Sequence, residues 1–433
     1  MQTYSASGLE TMSHNFHKLF RTRLARGLYR DARRPVLLNS WEACYFGFDE
    51  ERLKKIGSCC GDLGIELLVI DDGWFGKRDS DNCSLGDWVV DKRKLPNGIE
   101  GIYNHLKPLN IDLGIWFEPE MVSPDSDLYR NHPDWCLHIG DRPRSEGRNQ
   151  LILDLSRKEV CDYLYDSLAA VLNTGMIAYV KWDFNRNMTE VGNPNIPADQ
   201  KREITHRYYL GLYSLLERLV TDFPKVLFES CSGGGGRFDA GLLYYMPQVW
   251  TSDNSDAIER LRIQYGTSLV YPLSAMSAHV SASPNHQTGH VTSFDTRFNV
   301  ALTGSFGYEL DPTQLSDGEK QLVLSTGNTF KEYGERIAKG TYYRLRDPHA
   351  GDHAAWCTVS EDKSLCIASF VLTHVRMYGH NERIRLRGLK PEATYVDKNT
   401  GISYKGDQLM NFGLHVPLSL EFTSLLWILE EKR

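Results

Sequence analysis

The sequence predicts a (β/α)8 barrel followed by a small C-terminal antiparallel β domain. Two observations carry that reading. Between Pro35 and about Asp311, short apolar runs alternate with helix-like stretches, and eight such runs over about 275 residues match the size of the barrel. Beyond Thr341 the texture changes to closely spaced alternating runs separated by turn signals. The boundaries that follow are a connector over 1–34, the barrel over 35–338 and the β domain over 339–433.

The eight runs, in order, are "PVLLNSW", "IELLVIDD", "IDLGIWFEP", "QLILDLS", "IAYVKWD", "KVLFESCSGG", "QVWTSDNSD" and "YPLSAMS". Amphipathic segments separate several of them: "DEERLKKIGSCCGDLG", "RKEVCDYLYDSLAAVLNTG" and "HRYYLGLYSLLERLVTDF". The last two repeat apolar residues at three- and four-residue spacing, and Asp49 and Ser156 stand where N-caps belong. A doubly wound sheet is the competing architecture, but "NSWEACYFGF" after the first run is no GxGxxG loop. The Gly-rich "SCSGGGGRFD" follows the sixth run and lacks the Lys-Ser/Thr of a phosphate loop. "LSDGEKQLVLSTGNTFKEYGERIAKG" reads as a long helix. After it come "HAAWCTVS", "SLCIASFVL", "RIRLRGL", "ATYVDKN", "HVPLSL" and "SLLWILE" as short strands.

Composition excludes several function classes. The 433 residues carry a net charge of -7 with acids and bases interspersed, so no nucleic-acid surface is expected. No apolar stretch approaches the roughly 20 residues that span a bilayer, and "MQTYSASGLETMSHNFHKLFRTRL" lacks the apolar core of a signal peptide. The nine cysteines are scattered, with Cys59 and Cys60 adjacent and no CxxC pair. They suggest neither a zinc site nor a disulfide framework, and a cytoplasmic location is expected.

A barrel of this kind keeps its chemistry at the carboxyl ends of its strands. The runs end in Trp41 and Glu42, in Asp71, Asp72 and Trp74, and in Trp116, Glu118 and Glu120. Later runs end in Lys181 and Asp183, in Glu229 and Cys231, and in Asp253 and Asp256. Each alone reads as a cap or a turn; acids at six strand ends, three of them beside Trp41, Trp74 and Trp116, point to one pocket. Histidines are nearly absent there. His286 and His290 lie in a Gly- and Pro-containing loop, so no metal site and no cofactor are expected. A Mg²⁺ site built from carboxylates would leave the tryptophans without a purpose.

Carboxylates among rings suit glycoside hydrolysis, in which one ionised carboxylate attacks the anomeric carbon and a protonated one serves the leaving group. Residues two apart on a strand share a face, so Lys181 and Asp183 look out together and the cation favours an ionised Asp183, the nucleophile candidate. Asp253 and Asp256 both qualify as the acid. Asp253 directly follows its run, whereas Asp256 looks like the cap of a helix starting at Ala257, which favours Asp253.

"LLNSWEACYF", "VIDDGWFG", "GIWFEPEMVSPDSDLYRNHPDW", "YVKWDFNR", "FESCSGGGGRFD" and "WTSDNSDA" together resemble the catalytic part of family 36 glycoside hydrolases, the bacterial α-galactosidases (melibiases). The resemblance runs from about residue 10 to the C-terminus. It implies a retaining α-galactosidase with Asp183 as nucleophile and Asp253 as acid/base. It further implies that Asp71 and Asp72 bind the outer hydroxyls of galactose and that Lys181 and Arg148 hold others. Trp41 and Trp116 would wall the sugar, and Cys231, Gly233 and Gly234 would shape the pocket. Glu118 and Glu120 read equally well as structural ion-pair partners or as substrate ligands, and Asn185 and Arg186 as residues that orient Asp183. The family normally begins with a large β-sandwich domain, which is expected to be missing here because Met1 stands close to where it would end. The partner expected is a small α-galactoside of the melibiose or raffinose type, with no nucleic acid, no membrane and an open question of homo-oligomerisation. The alternatives are a transglycosylase that passes galactose to another sugar, an inactive or binding-only galactoside-recognising fragment, and a carboxylate-metal lyase or isomerase.

Overall fold

The computed structural model describes residues 7–376, 382–417 and 420–432. Eight parallel strands close into a barrel in which each lies beside its neighbours in sequence. They are β1 (Leu37–Asn39), β2 (Leu67–Ile70), β3 (Asp112–Phe117), β4 (Ile177–Trp182), β5 (Leu227–Ser230), β6 (Gln248–Trp250), β7 (Met276–Ser281) and β8 (Ser305–Glu309). The expected fold class holds, but two of its strands are corrected. "QLILDLS" is not a barrel strand: only Leu151–Ile152 is extended, paired antiparallel with Met121–Val122 in a small ribbon. A buried ribbon and a core strand carry the same apolar signature, so periodicity does not separate them. The true last strand, β8, lies in "GSFGYEL", whose glycines and serine weaken its apolar signal. Gly304 at its start is forced by packing, because a Cβ there would sit 2.3 Å from the Met276 carbonyl. "YPLSAMS" reaches β7 only at Met276.

The chain divides into two compact units. One comprises Leu37–Met246 with Asp311–Gln314 and carries β1 to β5. Its strands are buried almost throughout, as expected for a parallel sheet covered on both faces. Their register runs from Leu37 opposite Leu67, through Leu67 opposite Asp112, to Lys181 opposite Glu229. The helix Glu50–Asp62 begins at Asp49, whose side chain accepts from Arg52 N, as the sequence indicates. The helix Lys158–Leu172 does not use Ser156 as its cap. Ser156 instead donates its N–H and hydroxyl to Asp154, and Arg157 precedes the helix without a side-chain cap. The third amphipathic segment forms Ile204–Asp222.

The other unit comprises Met1–Val36, Pro247–Leu310 and Leu315–Arg433. The segment read as a connector contains a helix, Gly8–Leu19, whose Ser13, His14 and His17 hydrogen-bond to Leu269, Tyr342 and Ser268 carbonyls. The long helix Asp317–Lys339 starts with a capping box formed by Ser316 and Glu319. Beyond it, a six-stranded antiparallel sheet takes the order Thr341–Arg346, His353–Val359, Leu365–Leu372, Thr423–Glu431, Thr394–Asp397 and Ser403–Lys405. Its inner face buries Cys357, Cys366, Phe370, Tyr395 and Leu429. Glu382–Ile384 and Leu414–Val416 pair separately. Within "HVPLSL", residues 418 and 419 lie outside the described residues, as do residues 1–6 of the N-terminal segment.

Candidate active site

The carboxyl ends of β1 to β5 bring together most of the residues singled out above. Asn39, the last residue of β1, donates its amide to Asp71 Oδ2 (2.7 Å) and accepts from the Trp41 backbone N–H (2.8 Å). It thereby fixes both, a role that a lone asparagine in "LLNSW" does not announce. Trp41 opens a four-residue helix, is half-buried, and packs edge-on against Tyr45 and Phe46.

Asp71 and Asp72 follow β2 and are both buried. Asp71 Oδ2 also accepts from Lys181 Nζ at 2.9 Å, and its Oδ1 from the Asp72 backbone. Lys181 therefore forms an ion pair with Asp71. Lys181 and Asp183 lie on one face at the end of β4, and β2, two strands away, supplies the anion within hydrogen-bond reach. Asp72 is gripped by the fully buried Arg78, with contacts from Nε (2.9 and 3.2 Å) and Nη2 (2.8 Å). Burial pushes the Asp72 carboxyl above the usual carboxylate range; Arg78 opposes this, and the Asp71 and Asp183 charges add to it.

Asp183 stands immediately after β4 and is buried. Its Oδ2 accepts from the Trp116 indole (3.2 Å) and the Asn185 amide (2.5 Å), and its Oδ1 from the Phe184 N–H (2.8 Å). Trp116 is 2% exposed and packs among Phe75 and Trp88. It holds the carboxylate through its N–H. Asn185 orients Asp183, as the sequence indicates. Besides Asp183 it binds Gly233 N–H through Oδ1 (3.0 Å), and its own N–H donates to Glu118 Oε1 (2.5 Å). Arg186 does not touch Asp183; it braces the Ser145 and Gln150 carbonyls, both at 2.7 Å.

Arg148 lies at the exposed tip of a tight turn closed by backbone bonds between Gly147 and Gln150. It and Asn149 both have positive φ, +54° and +58°, the pattern of a type I′ hairpin turn. Holding an arginine in that region costs about 1 kcal/mol or more.

After β5, Cys231 is buried and Ser232 hydroxyl donates to the Phe184 carbonyl. Gly234 has φ +88°, and a Cβ at Gly236 would lie 2.6 Å from the Ser232 carbonyl, so glycine is required for this fold-back. Arg237 closes the loop onto Glu120, with Nη1–Oε2 at 3.0 Å and Nη2–Oε1 at 2.6 Å. Glu120 is fully buried and also accepts from the Trp182 indole and the Tyr208 hydroxyl. Of the two roles open to it, the ion-pair one is what the structure displays.

In the other unit, Asp253 and Asp256 differ sharply. Asp256 is buried and caps the helix Ala257–Thr267, accepting from Ile258 and Glu259 N–H. It also binds Thr288 and His290. Asp253 is exposed, with its Oδ1 accepting from the Trp250 indole at 3.0 Å. His290 is thus a partner of Asp256. Among the described residues, no group of three or more His, Cys, Asp or Glu could hold a metal ion, and no helix is long and apolar enough to cross a membrane.

The family model for melibiase matches residues 1–340, and the model for the glycosyl hydrolase family 36 C-terminal domain matches residues 353–429. This chain belongs to the melibiase family. It is 52% identical over 431 residues to α-galactosidase AgaA of Geobacillus stearothermophilus, spanning 99% of this chain and 59% of that one. With the bifunctional α-galactosidase/sucrose kinase AgaSK of Mediterraneibacter gnavus it shares 49% over 415 residues, 96% of this chain and 44% of that one. The crystal structure of the family 36 α-galactosidase AgaA superimposes with a TM-score of 0.97, covering 99% of this melibiase-family chain and 60% of the other. The chain thus spans about three-fifths or less of the length of these relatives.

Proposed function

We propose that this chain is the catalytic part of a retaining α-galactosidase that hydrolyses terminal α-linked D-galactose by double displacement. Asp183 is the nucleophile and Asp253 the acid/base. The observation that carries the proposal is the cradle of Asp183: three N–H groups, from Trp116, Asn185 and Phe184, fix a carboxylate at the end of a barrel strand. Nucleophilic attack by Oδ1 or Oδ2 on the anomeric carbon breaks the glycosidic bond and forms a galactosyl ester. The exposed carboxyl of Asp253 gives its proton to the leaving oxygen, then takes one from the water that cleaves the ester. A buried Asp256, engaged as a cap, is ill placed to exchange protons with water.

The relatives support this choice. Variants of the G. stearothermophilus enzyme have been crystallised with raffinose and with stachyose, and each carries a substitution at a different aspartate. Those two aspartates are 70 residues apart, the separation of Asp183 and Asp253. Asp71, Asp72, Lys181, Arg148, Trp41, Trp116, Cys231, Gly233 and Gly234 form the proposed galactose-binding set, and raffinose-type oligosaccharides the substrate class. The nine free cysteines fit a reducing, cytoplasmic setting.

The test is release of p-nitrophenol from p-nitrophenyl α-D-galactopyranoside, with the anomer of the released galactose followed by NMR. Turnover giving α-galactose first, abolished in Asp183→Ala, is expected. Turnover that survives Asp183→Ala, or β-galactose as the first product, refutes the assignment.

A further inference from the structure

Five carboxyl groups, Asp71, Asp72, Glu118, Glu120 and Asp183, gather at the ends of β2, β3 and β4, and Arg237 is paired with Glu120. Lys181 is paired with Asp71 and Arg78 with Asp72, which leaves Asp183 and Glu118 with no ion pair among the described residues. Glu118 is completely buried one residue beyond β3. Its Oε1 accepts from the Asn185 N–H at 2.5 Å, and its Oε2 lies 3.1 Å from Gln150 Nε2, which donates to it. Two uncompensated carboxylates in one buried cluster repel each other, and the deeper of the two escapes the penalty by keeping its proton. A neutral carboxyl needs an acceptor for that proton, and Gln150 holds one: its Oε1 is buried and without a hydrogen-bond partner. Exchanging the two ends of the Gln150 amide brings that oxygen to Glu118 Oε2 and puts the NH2 in the place the oxygen leaves.

We propose that Glu118 is held as a neutral carboxylic acid that donates to Gln150 and, through the Asn185 backbone, aims the Asn185 amide at Asp183. It is a positioning residue that acts through Asn185. The link is one residue long, because the N–H of Asn185 is fixed by Glu118 while its side chain spans Asp183 and Gly233. The charged groups facing Glu118 agree with this. Burial first, then the Asp183 charge and that of Asp72, push its carboxyl well above the ordinary range, while Arg78 and the Asn185 N–H oppose them. The inference rests on Asp183 being the nucleophile.

Two measurements on the full chain test it. Infrared difference spectra near neutral pH, wild type minus Glu118→Gln, are expected to contain the C=O stretch of a protonated carboxyl; a carboxylate band in its place overturns the proposal. Gln150→Met removes the acceptor and is expected to shift that stretch, and an unshifted band overturns the Gln150 contact. The second measurement is kcat/KM against pH on p-nitrophenyl α-D-galactopyranoside. Asn185→Ala is expected to lower kcat about 10- to 100-fold and to move the acid limb up by about one pH unit, since it removes a donor to the ionised nucleophile. Glu118→Gln is expected to leave the acid limb at its wild-type pH, because no charge is removed. A limb displaced downwards would mean that Glu118 was an anion, and an unmoved limb in Asn185→Ala would remove the positioning role. Asp183→Ala, measured alongside, separates these failures from failure of the nucleophile assignment, which turnover in that variant would signal.

Discussion

Arg237→Met probes the ion pair that locks the Gly-rich loop behind Asp183. In the folded protein Arg237 and Glu120 are both buried, joined by two N–H···O contacts of 3.0 and 2.6 Å. The guanidinium also lies over the Phe184 ring at 4.2 Å. Methionine fills much of the same volume but leaves Glu120 a buried carboxylate satisfied only by Trp182 and Tyr208. Breaking such a pair from one side costs about 3–5 kcal/mol, against a total domain stability of about 5–15 kcal/mol. Glu120→Gln is expected to cost a similar amount, since it strands the cation. The double variant is expected to lose less than the sum of the two by several kcal/mol, because neither charge is then left alone. Urea unfolding followed by tryptophan fluorescence, on both single variants and the double, gives the cycle. Arg237→Met within about 1 kcal/mol of wild type, or strictly additive losses, would refute the reasoning.

Other expectations separate stability from chemistry. Asp253→Asn is expected to abolish turnover of poor leaving groups while leaving the urea midpoint unchanged. Asp256→Ala is expected to cost about 0.5–2 kcal/mol through the lost helix cap; the reverse pattern would exchange their roles. Arg148→Gly is expected to raise stability by up to about 1 kcal/mol, by relieving a positive-φ arginine, and to raise KM. A fall in stability with unchanged KM would contradict both statements. Glu118 and Asp72 both have raised folded-state pKa values, so the folded state binds more protons than the unfolded chain above the ordinary carboxyl pKa of about 4. Stability is therefore expected to fall as pH rises through that window, and the difference in urea midpoint between pH 5 and pH 8 to shrink in Glu118→Gln.

The barrel was legible because strand-sized apolar runs and helix-sized amphipathic segments have different periods, and because acids at strand ends break an otherwise buried pattern. The errors share a cause. "QLILDLS" reads as a barrel strand because apolarity reports burial and not which sheet buries it, and Gly304 and Gly307 dilute the apolar signal of β8. Ser156 lost its cap role to a local competitor, Asp154, two residues upstream. Among the site residues, those with a lone charge were easiest to find. Their partners were not: Lys181 went to Asp71 because hydrogen-bonded neighbours come from different strands, and no spacing in one strand encodes the next. Asn39 and Gln150 stayed nearly silent because an uncharged amide in a strand-end motif has no signature until its two ends are seen bridging other groups.

The most direct test of the central claim is to trap the intermediate. The chain would be incubated with a fluorinated galactosyl fluoride, which slows hydrolysis of the ester, and its peptides analysed by mass spectrometry. A single fluorogalactosyl adduct on the peptide bearing Asp183, formed with loss of the anomeric fluoride and absent from Asp183→Ala, is the expected result. An adduct on another residue, or none from a chain that turns over p-nitrophenyl α-D-galactopyranoside, would contradict Asp183 as the nucleophile.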